Sequence, residues 1–312
     1  MTEKEPMRKA YGEALVELGK ENENVVVLDA DLSCSTQTKI FAKEFPERFF
    51  NLGIAEQNLA VTAAGFASAG KIPFMSTFSV FAPGRCYDQI RVSISYSNLP
   101  VKIVSTHGGI TTGEDGHTHQ ALEDIGMLRA LPNFKIMVPA DALEVKQMVK
   151  ASVDYKGPVY IRVSRMSVPR IYPDDYKFKD SADVLRKGKD VSIIACGLMV
   201  KNALDAAELL EKENISAEVV NMHVISPIDE KQILKSAKTC GAIVTAEEHS
   251  VTTGLGAAVA EILVENNPVP MERVGVKNRF GQSGKPDELM KEYNLTAEDI
   301  VKAAKKVVGR KK

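Results

Sequence analysis

Two hydrophobic rhythms alternate along the first half of the chain. Residues 25–28, 72–75, 101–104, 135–138 and 159–163 are short, nearly continuous apolar runs, several of them rich in valine and isoleucine. Runs of that length with no polar face predict strands buried on both sides, as in a parallel sheet. Between them, residues 10–18, 56–69, 86–97, 121–131 and 143–153 carry apolar side chains three and four apart, the one-sided pattern of helices packed on a sheet. The alternation predicts a layered α/β domain.

The rhythm fails over residues 166–188, which hold Pro169, Pro173 and a charge-rich middle without periodicity. This stretch reads as a linker between a domain of residues 1–165 and one of residues 189–312. Beyond it, strands are expected at 191–195, 217–221 and 242–246, alternating with helices at 201–213, 230–238 and 256–264. The second domain is thus also α/β, and smaller. A length of 312 residues suits two cores better than one.

Charge narrows the function. Lys and Arg number 40 against 41 Asp and Glu, so there is no basic footprint for nucleic acid or an anionic membrane. The longest apolar run, residues 191–200, is half a bilayer span, and the start MTEKEPMRK lacks the apolar core of a signal peptide. Cys34, Cys86, Cys196 and Cys240 are too widely spaced for a disulfide framework or a zinc site. The expectation is a soluble, cytoplasmic protein acting on a small ligand.

Three clusters carry candidate chemistry. In T-H-G-G-I-T-T-G-E-D-G-H-T-H-Q, residues 106–120, three of the five histidines crowd a glycine-rich loop that follows a predicted strand. The C-terminal end of a parallel strand is where α/β folds bind ligands, and glycines let backbone approach them closely. A lone histidine there would more simply cap a helix; three together point to a polar cleft. His117, His119 and Asp115 could also clasp a metal, but no fourth ligand stands at a suitable spacing. The second cluster, Asn51-Leu-Gly-Ile-Ala-Glu56, ends in a carboxylate that could merely complement a helix dipole. The third, Ser76-Thr-Phe78-Ser-Val-Phe81, could merely be core.

Together, N-x-G-I-x-E, T-F-x-x-F, T-H-x-x-I-x-x-G-E-D-G-x-T-H-Q and R-x-L-P-N, in that order, resemble transketolases. H-S-V-T-T-G-L-G and N-R-F-G-Q-S-G resemble that family's small C-terminal domain, so the resemblance covers the whole chain. It implies a pyrimidine-binding thiamine diphosphate domain followed by a transketolase C-terminal domain, and ketol transfer between sugar phosphates of the pentose phosphate type. By position, Glu56 resembles the glutamate that bonds the aminopyrimidine, with Phe78 and Phe81 packed on that ring. A buried, apolar setting would keep such a carboxyl neutral and favour the tautomer that takes the thiazolium C2 proton. His107 matches a phosphate contact, Asp115 the partner of a donor hydroxyl, and His119 the group that holds or deprotonates the donor. Arg8, Ser35 and Arg165 match the clamp on the terminal phosphate, where a guanidinium fork suits the anion. Glu247-Glu-His249 is expected to be structural, since the family uses this domain for packing and assembly.

Two departures stand out. Gly84 replaces a third aromatic of the pyrimidine pocket, which Tyr87 is placed to substitute, and His117 replaces a common proline. The family's Mg²⁺ motif, G-D-G followed later by Asn, is missing, because Glu114-Asp-Gly116 lies in the histidine loop. The resemblance therefore implies a partner chain, an N-terminal-type transketolase subunit that binds Mg²⁺ and the diphosphate, and a heterotetramer containing two copies of this chain. Deoxyxylulose-phosphate synthase, the β subunit of a 2-oxo acid dehydrogenase's decarboxylase, and a non-catalytic module that kept the fold are the other readings. The first usually has Asp-Arg where this chain has Thr106-His107, and the second builds its loop around G-H-H-S.

Overall fold

The computed structural model describes residues 4–311. Among the described residues, twelve of fourteen strands form two main sheets with helices packed on them, and the other two pair as a separate ribbon. In chain order the first eight strands are β1 (Lys4–Pro6), β2 (Val25–Asp29), β3 (Phe49–Asn51), β4 (Ile72–Phe78), β5 (Lys102–Thr106), β6 (Lys135–Met137), β7 (Val159–Arg162) and β8 (Ser167–Pro169). The remainder are β9 (Asp183–Arg186), β10 (Val191–Ala195), β11 (Ala217–Asn221), β12 (Val224–Ser226), β13 (Ile243–Ser250) and β14 (Met271–Val276).

The first sheet runs β12-β6-β7-β5-β4-β2-β3, parallel except for β12. Every residue of β2, β5 and β7 is buried, as continuous Val/Ile runs require when helices cover both faces. Helices Met7–Glu21 and Ala142–Ser152 cover one face. Helices Glu56–Ser68, Ala82–Gln89 and Asp124–Arg129 cover the other. The second sheet runs β14-β13-β10-β11-β9, parallel except for β9. This is the α/β architecture of parallel sheets expected from the sequence. No helix among the described residues is long and apolar enough to cross a membrane.

Several elements depart from the pattern. Within residues 166–188, β8 pairs with β1, and β9 joins the second sheet as an edge strand. Their apolar residues are too few to show a period. The helix expected from residue 86 starts at Ala82, with Pro83 in its first turn, and continues as π-type turns over Ile90–Tyr96. The helix expected at 121–131 shrinks to Asp124–Arg129, because Ala121 bridges Gly108 instead. Strand β14 and helices Pro286–Glu292 and Ala297–Val308 were not anticipated. The last of these is announced by a capping box, Thr296 with Asp299.

A buried charge cluster joins the halves beneath the histidine loop. Arg162, ending β7, donates Nε to Asp124 Oδ2 at 2.7 Å and Nη2 to the Ala121 and Glu248 carbonyls. Tyr160 donates its hydroxyl to the same Asp124 oxygen at 2.7 Å. Removing the cation strands Asp124 and Glu248 in the interior, and breaking such a pair from one side typically costs about 3–5 kcal/mol. Arg162→Met is therefore expected to lower the unfolding free energy by about that amount in urea titration; a loss under about 1 kcal/mol, the surface-pair range, would contradict the account.

Candidate active site

The sequence-predicted residues come from one edge of the first sheet, beyond the C-terminal ends of its parallel strands. In spatial order, β7 leads to Arg165, β5 to His107–His119, β4 to Phe78 and Phe81, β2 to Ser35, and β3 to Glu56. Arg8 enters from the first turn of helix Met7–Glu21. Distant sequence positions thus converge where α/β sheets place ligands.

The loop after β5 begins under strain. His107 has φ +63°, a left-handed conformation that non-glycine residues rarely adopt, and Gly109 follows at +89°. A Cβ on Gly109 would lie 2.2 Å from the Glu248 carboxylate, so only glycine fits. The turn lays the His107 ring on Phe78 at 3.8 Å between centroids. Phe81 stacks on Phe78 at 5.7 Å, and His119 meets Phe81 edge-on at 5.4 Å. Four of the expected residues thus form one aromatic wall.

Beside that wall lie the guanidinium groups of Arg8 and Arg165. Arg8 donates Nη1 to the Ser35 carbonyl at 2.7 Å. Burial and the Arg165 charge together lower its affinity for a proton. Arg165 donates to the Thr112 carbonyl and lies 3.5 Å from Glu114 and 3.7 Å from Asp115. Burial, then Arg8, Arg165 and His119, push the His107 pKa down to about 3. Ser35 itself is held by a device the sequence did not disclose. The buried Asp29 carboxylate accepts from Leu32 N and from the Thr36 and Thr38 hydroxyls, all at 2.6–2.8 Å.

Glu56 stands in the first turn of its helix, 5% exposed. The apolar setting expected for it is not what the chain builds: Arg85 donates Nη1 to Glu56 Oε1 at 2.6 Å. The same guanidinium lies 3.8 Å above the Phe81 ring, tying the carboxylate to the aromatic wall. The other Glu56 oxygen makes no hydrogen bond among the described residues. Tyr87 does not close the pocket. It donates to the Met127 carbonyl at 3.0 Å and packs against the core. A carboxyl with one free oxygen, two phenylalanines and the open space at Gly84, where a Cβ would meet nothing within 4 Å, fits the pyrimidine end of thiamine diphosphate.

His117 is exposed, and the metal alternative gains nothing, since His119 Nδ1 pairs with the Thr118 hydroxyl at 2.8 Å. Among the described residues, the one close trio of potential ligands is Glu144, Asp183 and His223, elsewhere in the fold. Its carboxylates already accept from Ala140 N, Asn221, Tyr172 and Tyr176, which makes it a clasp between the halves. Glu247 is structural too, accepting from Leu255 N and Gly256 N at 2.7 Å and so capping the helix Leu255–Asn266. Two further residues support the loop: Glu248, from the stretch expected to be structural, and Gln120, whose role sequence reasoning missed. Glu248 accepts from Thr111 N at 2.5 Å, and Gln120 donates to the Ile110, Gly113 and Gln282 carbonyls.

Residues 3–170 match the family model described as the transketolase pyrimidine binding domain, and residues 180–300 the transketolase C-terminal domain. A Methanocaldococcus jannaschii chain described only as a transketolase C-terminal section is 50% identical over 300 residues, 95% of this chain and 94% of that one. The 6-deoxy-6-sulfo-D-fructose transketolase subunit SqwH of Clostridium sp. strain MSTE9 is 42% identical over 306 residues, 98% and 95% of the two chains. Among solved structures, a split-gene transketolase described as an inactive beta4 tetramer superposes with TM-score 0.93 at 52% identity, covering 99% of this chain and 100% of that one. Two domain matches in the expected order and relatives covered almost end to end have one common reading: the chain belongs to the transketolase family.

Proposed function

We propose that this chain is the C-terminal subunit of a split transketolase, with a pyrimidine-binding domain of residues 1–165, a linker of 166–188 and a C-terminal domain of 189–312. It transfers a two-carbon ketol group between sugar phosphates in the cytoplasm once joined by a chain carrying the diphosphate and Mg²⁺ domain. The observation that carries the reading is the convergence of Glu56, Phe78, Phe81, His107 and His119 on one sheet edge. The chain itself has no G-D-G segment with a downstream Asn suited to the metal.

Bound thiamine diphosphate supplies the carbon nucleophile. Glu56 would meet the pyrimidine ring nitrogen with its second oxygen, and Phe78 and Phe81 would pack on that ring. His119 holds or deprotonates a donor hydroxyl and Asp115 accepts another. Arg8, Arg165, His107 and Ser35 clamp the terminal anion, where guanidinium forks and a neutral imidazole provide several donors. The name of the Clostridium relative, a sulfonated sugar's transketolase subunit, fits such a clamp equally well, since a sulfonate offers similar oxygens.

The test is to assay ketol transfer from xylulose 5-phosphate to ribose 5-phosphate. The purified chain is expected to be inactive, and activity to appear on adding the diphosphate-binding chain with Mg²⁺. Glu56→Ala should then lower the rate by about 10²–10⁴-fold, the usual scale of a lost acid–base group. Robust turnover by the chain alone, or full activity of the mutant pair, defeats the proposal.

The clamp makes a second expectation. With the His107 pKa moved from 6.5 down to about 3, the folded chain binds fewer protons at this site than the unfolded chain across that interval. The contribution to stability is then complete above about pH 6.5 and fades as the pH falls toward about 3. Histidine NMR should show two rings still neutral at pH 5, those of His107 and the buried His249, and the His107 ring should titrate at a higher pH in Arg8→Met and, by a smaller step, in His119→Gln. Five rings all titrating near their ordinary value would refute it.

A further inference from the structure

We propose that Arg85 is a positioning residue for the pyrimidine end of the site, closing the pocket from the side that Gly84 leaves open. The inference rests on the cofactor reading above. Arg85 lies in the first turn of helix Ala82–Gln89, where the helix dipole disfavours a cation, so its placement calls for a compensating contact. It has two. Nη1 holds Glu56 Oε1 at 2.6 Å, and the flat of the guanidinium covers Phe81 at 3.8 Å.

Those contacts divide the work on Glu56. One carboxylate oxygen is fixed by the guanidinium, which sets the side chain's rotamer, while the second stays free for the ring nitrogen of the cofactor. Phe81 is simultaneously held between Arg85 and Phe78. Gly84 has no neighbour within 4 Å of a built Cβ, so glycine is not demanded there by crowding. The wall that a third aromatic gives in many transketolases is supplied here by the neighbouring guanidinium, and Tyr87, turned to Met127, cannot supply it. A planar, multiply donating group is needed for this. An ammonium can pair with the carboxylate but cannot lie flat on the ring.

Two-chain enzyme with Mg²⁺ serves for the test, with thiamine diphosphate binding read by isothermal titration calorimetry. Arg85→Ala is expected to weaken binding about tenfold, near 1.4 kcal/mol, within the range of a cation–π contact plus a charged hydrogen bond. Arg85→Lys should recover only part of the loss. The side chain is 46% exposed, so the isolated Arg85→Ala chain should melt within about 4 °C of the unaltered one, which excludes general unfolding as the cause. Binding by Arg85→Ala as tight as or tighter than the unaltered pair, or full recovery by lysine, overturns the proposal. Glu56→Ala separates the two claims. If it weakens binding while Arg85→Ala does not, only the Arg85 role falls; if the unaltered pair binds no cofactor, the functional reading falls and this one with it.

Discussion

A carboxylate buried beneath the histidine loop sets the height at which everything above it sits. Glu248 accepts the Thr111 amide at 2.5 Å, and burial raises its pKa to about 7 while the Arg162 charge pulls the other way. That bond comes from β13 of the second sheet, so the loop of the first domain is braced by the other half of the chain. Gly109 and Gly108 follow from it. A Cβ at 109 would strike Glu248, and one at 108 would come within 2.8 Å of the Arg162 guanidinium. Gln120 repeats the device, spending its amide on two carbonyls of its own loop and on Gln282. The second half of the chain thus braces the loop on which His107 and His119 stand.

That coupling also explains what could be read from the sequence. The strands of the first sheet announced themselves because a parallel strand must be apolar on both faces, and 25–28 or 101–104 cannot be much else. The site residues were legible because their chemistry is concentrated in one loop and two short motifs, and because the order of those motifs matches a family. What escaped notice is held by long-range partners. Arg85 looks like any helix arginine until Glu56, 29 positions earlier, is found against it. The apolar environment expected around Glu56 failed for this reason, and so did the substitution of Tyr87 for the missing aromatic. Asp29 gave no signal at all, since a buried acid that braces a loop has no periodicity and no motif, and Glu248 was visible only as part of Glu247-Glu-His249, a stretch expected to be structural.

The electrostatics of the site point beyond the chain. Burial and the Arg165 charge lower the hold of Arg8 on a proton, and both guanidinium groups help keep His107 neutral, while among the described residues only Arg165 has carboxylates close by, Glu114 and Asp115. Natural proteins accept such local frustration where a ligand resolves it. A bound anion would relieve the repulsion between the guanidinium groups of Arg8 and Arg165.

Surface apolarity supports the same incompleteness from another direction. Ile54, two residues before Glu56, is 77% exposed, and Tyr96 is 87% exposed. Val61 and Val92 are partly uncovered on the helical segments Glu56–Ser68 and Ile90–Tyr96, which pack on each other. Scattered exposed apolar residues need no explanation, but several on adjoining elements beside a half-formed site favour a surface meant to be covered. The helix that begins with Glu56 therefore has two faces with different duties. One buries Leu59, Ala60 and Ala63 against the sheet; the other leaves Val61 uncovered on the helix that begins with Glu56.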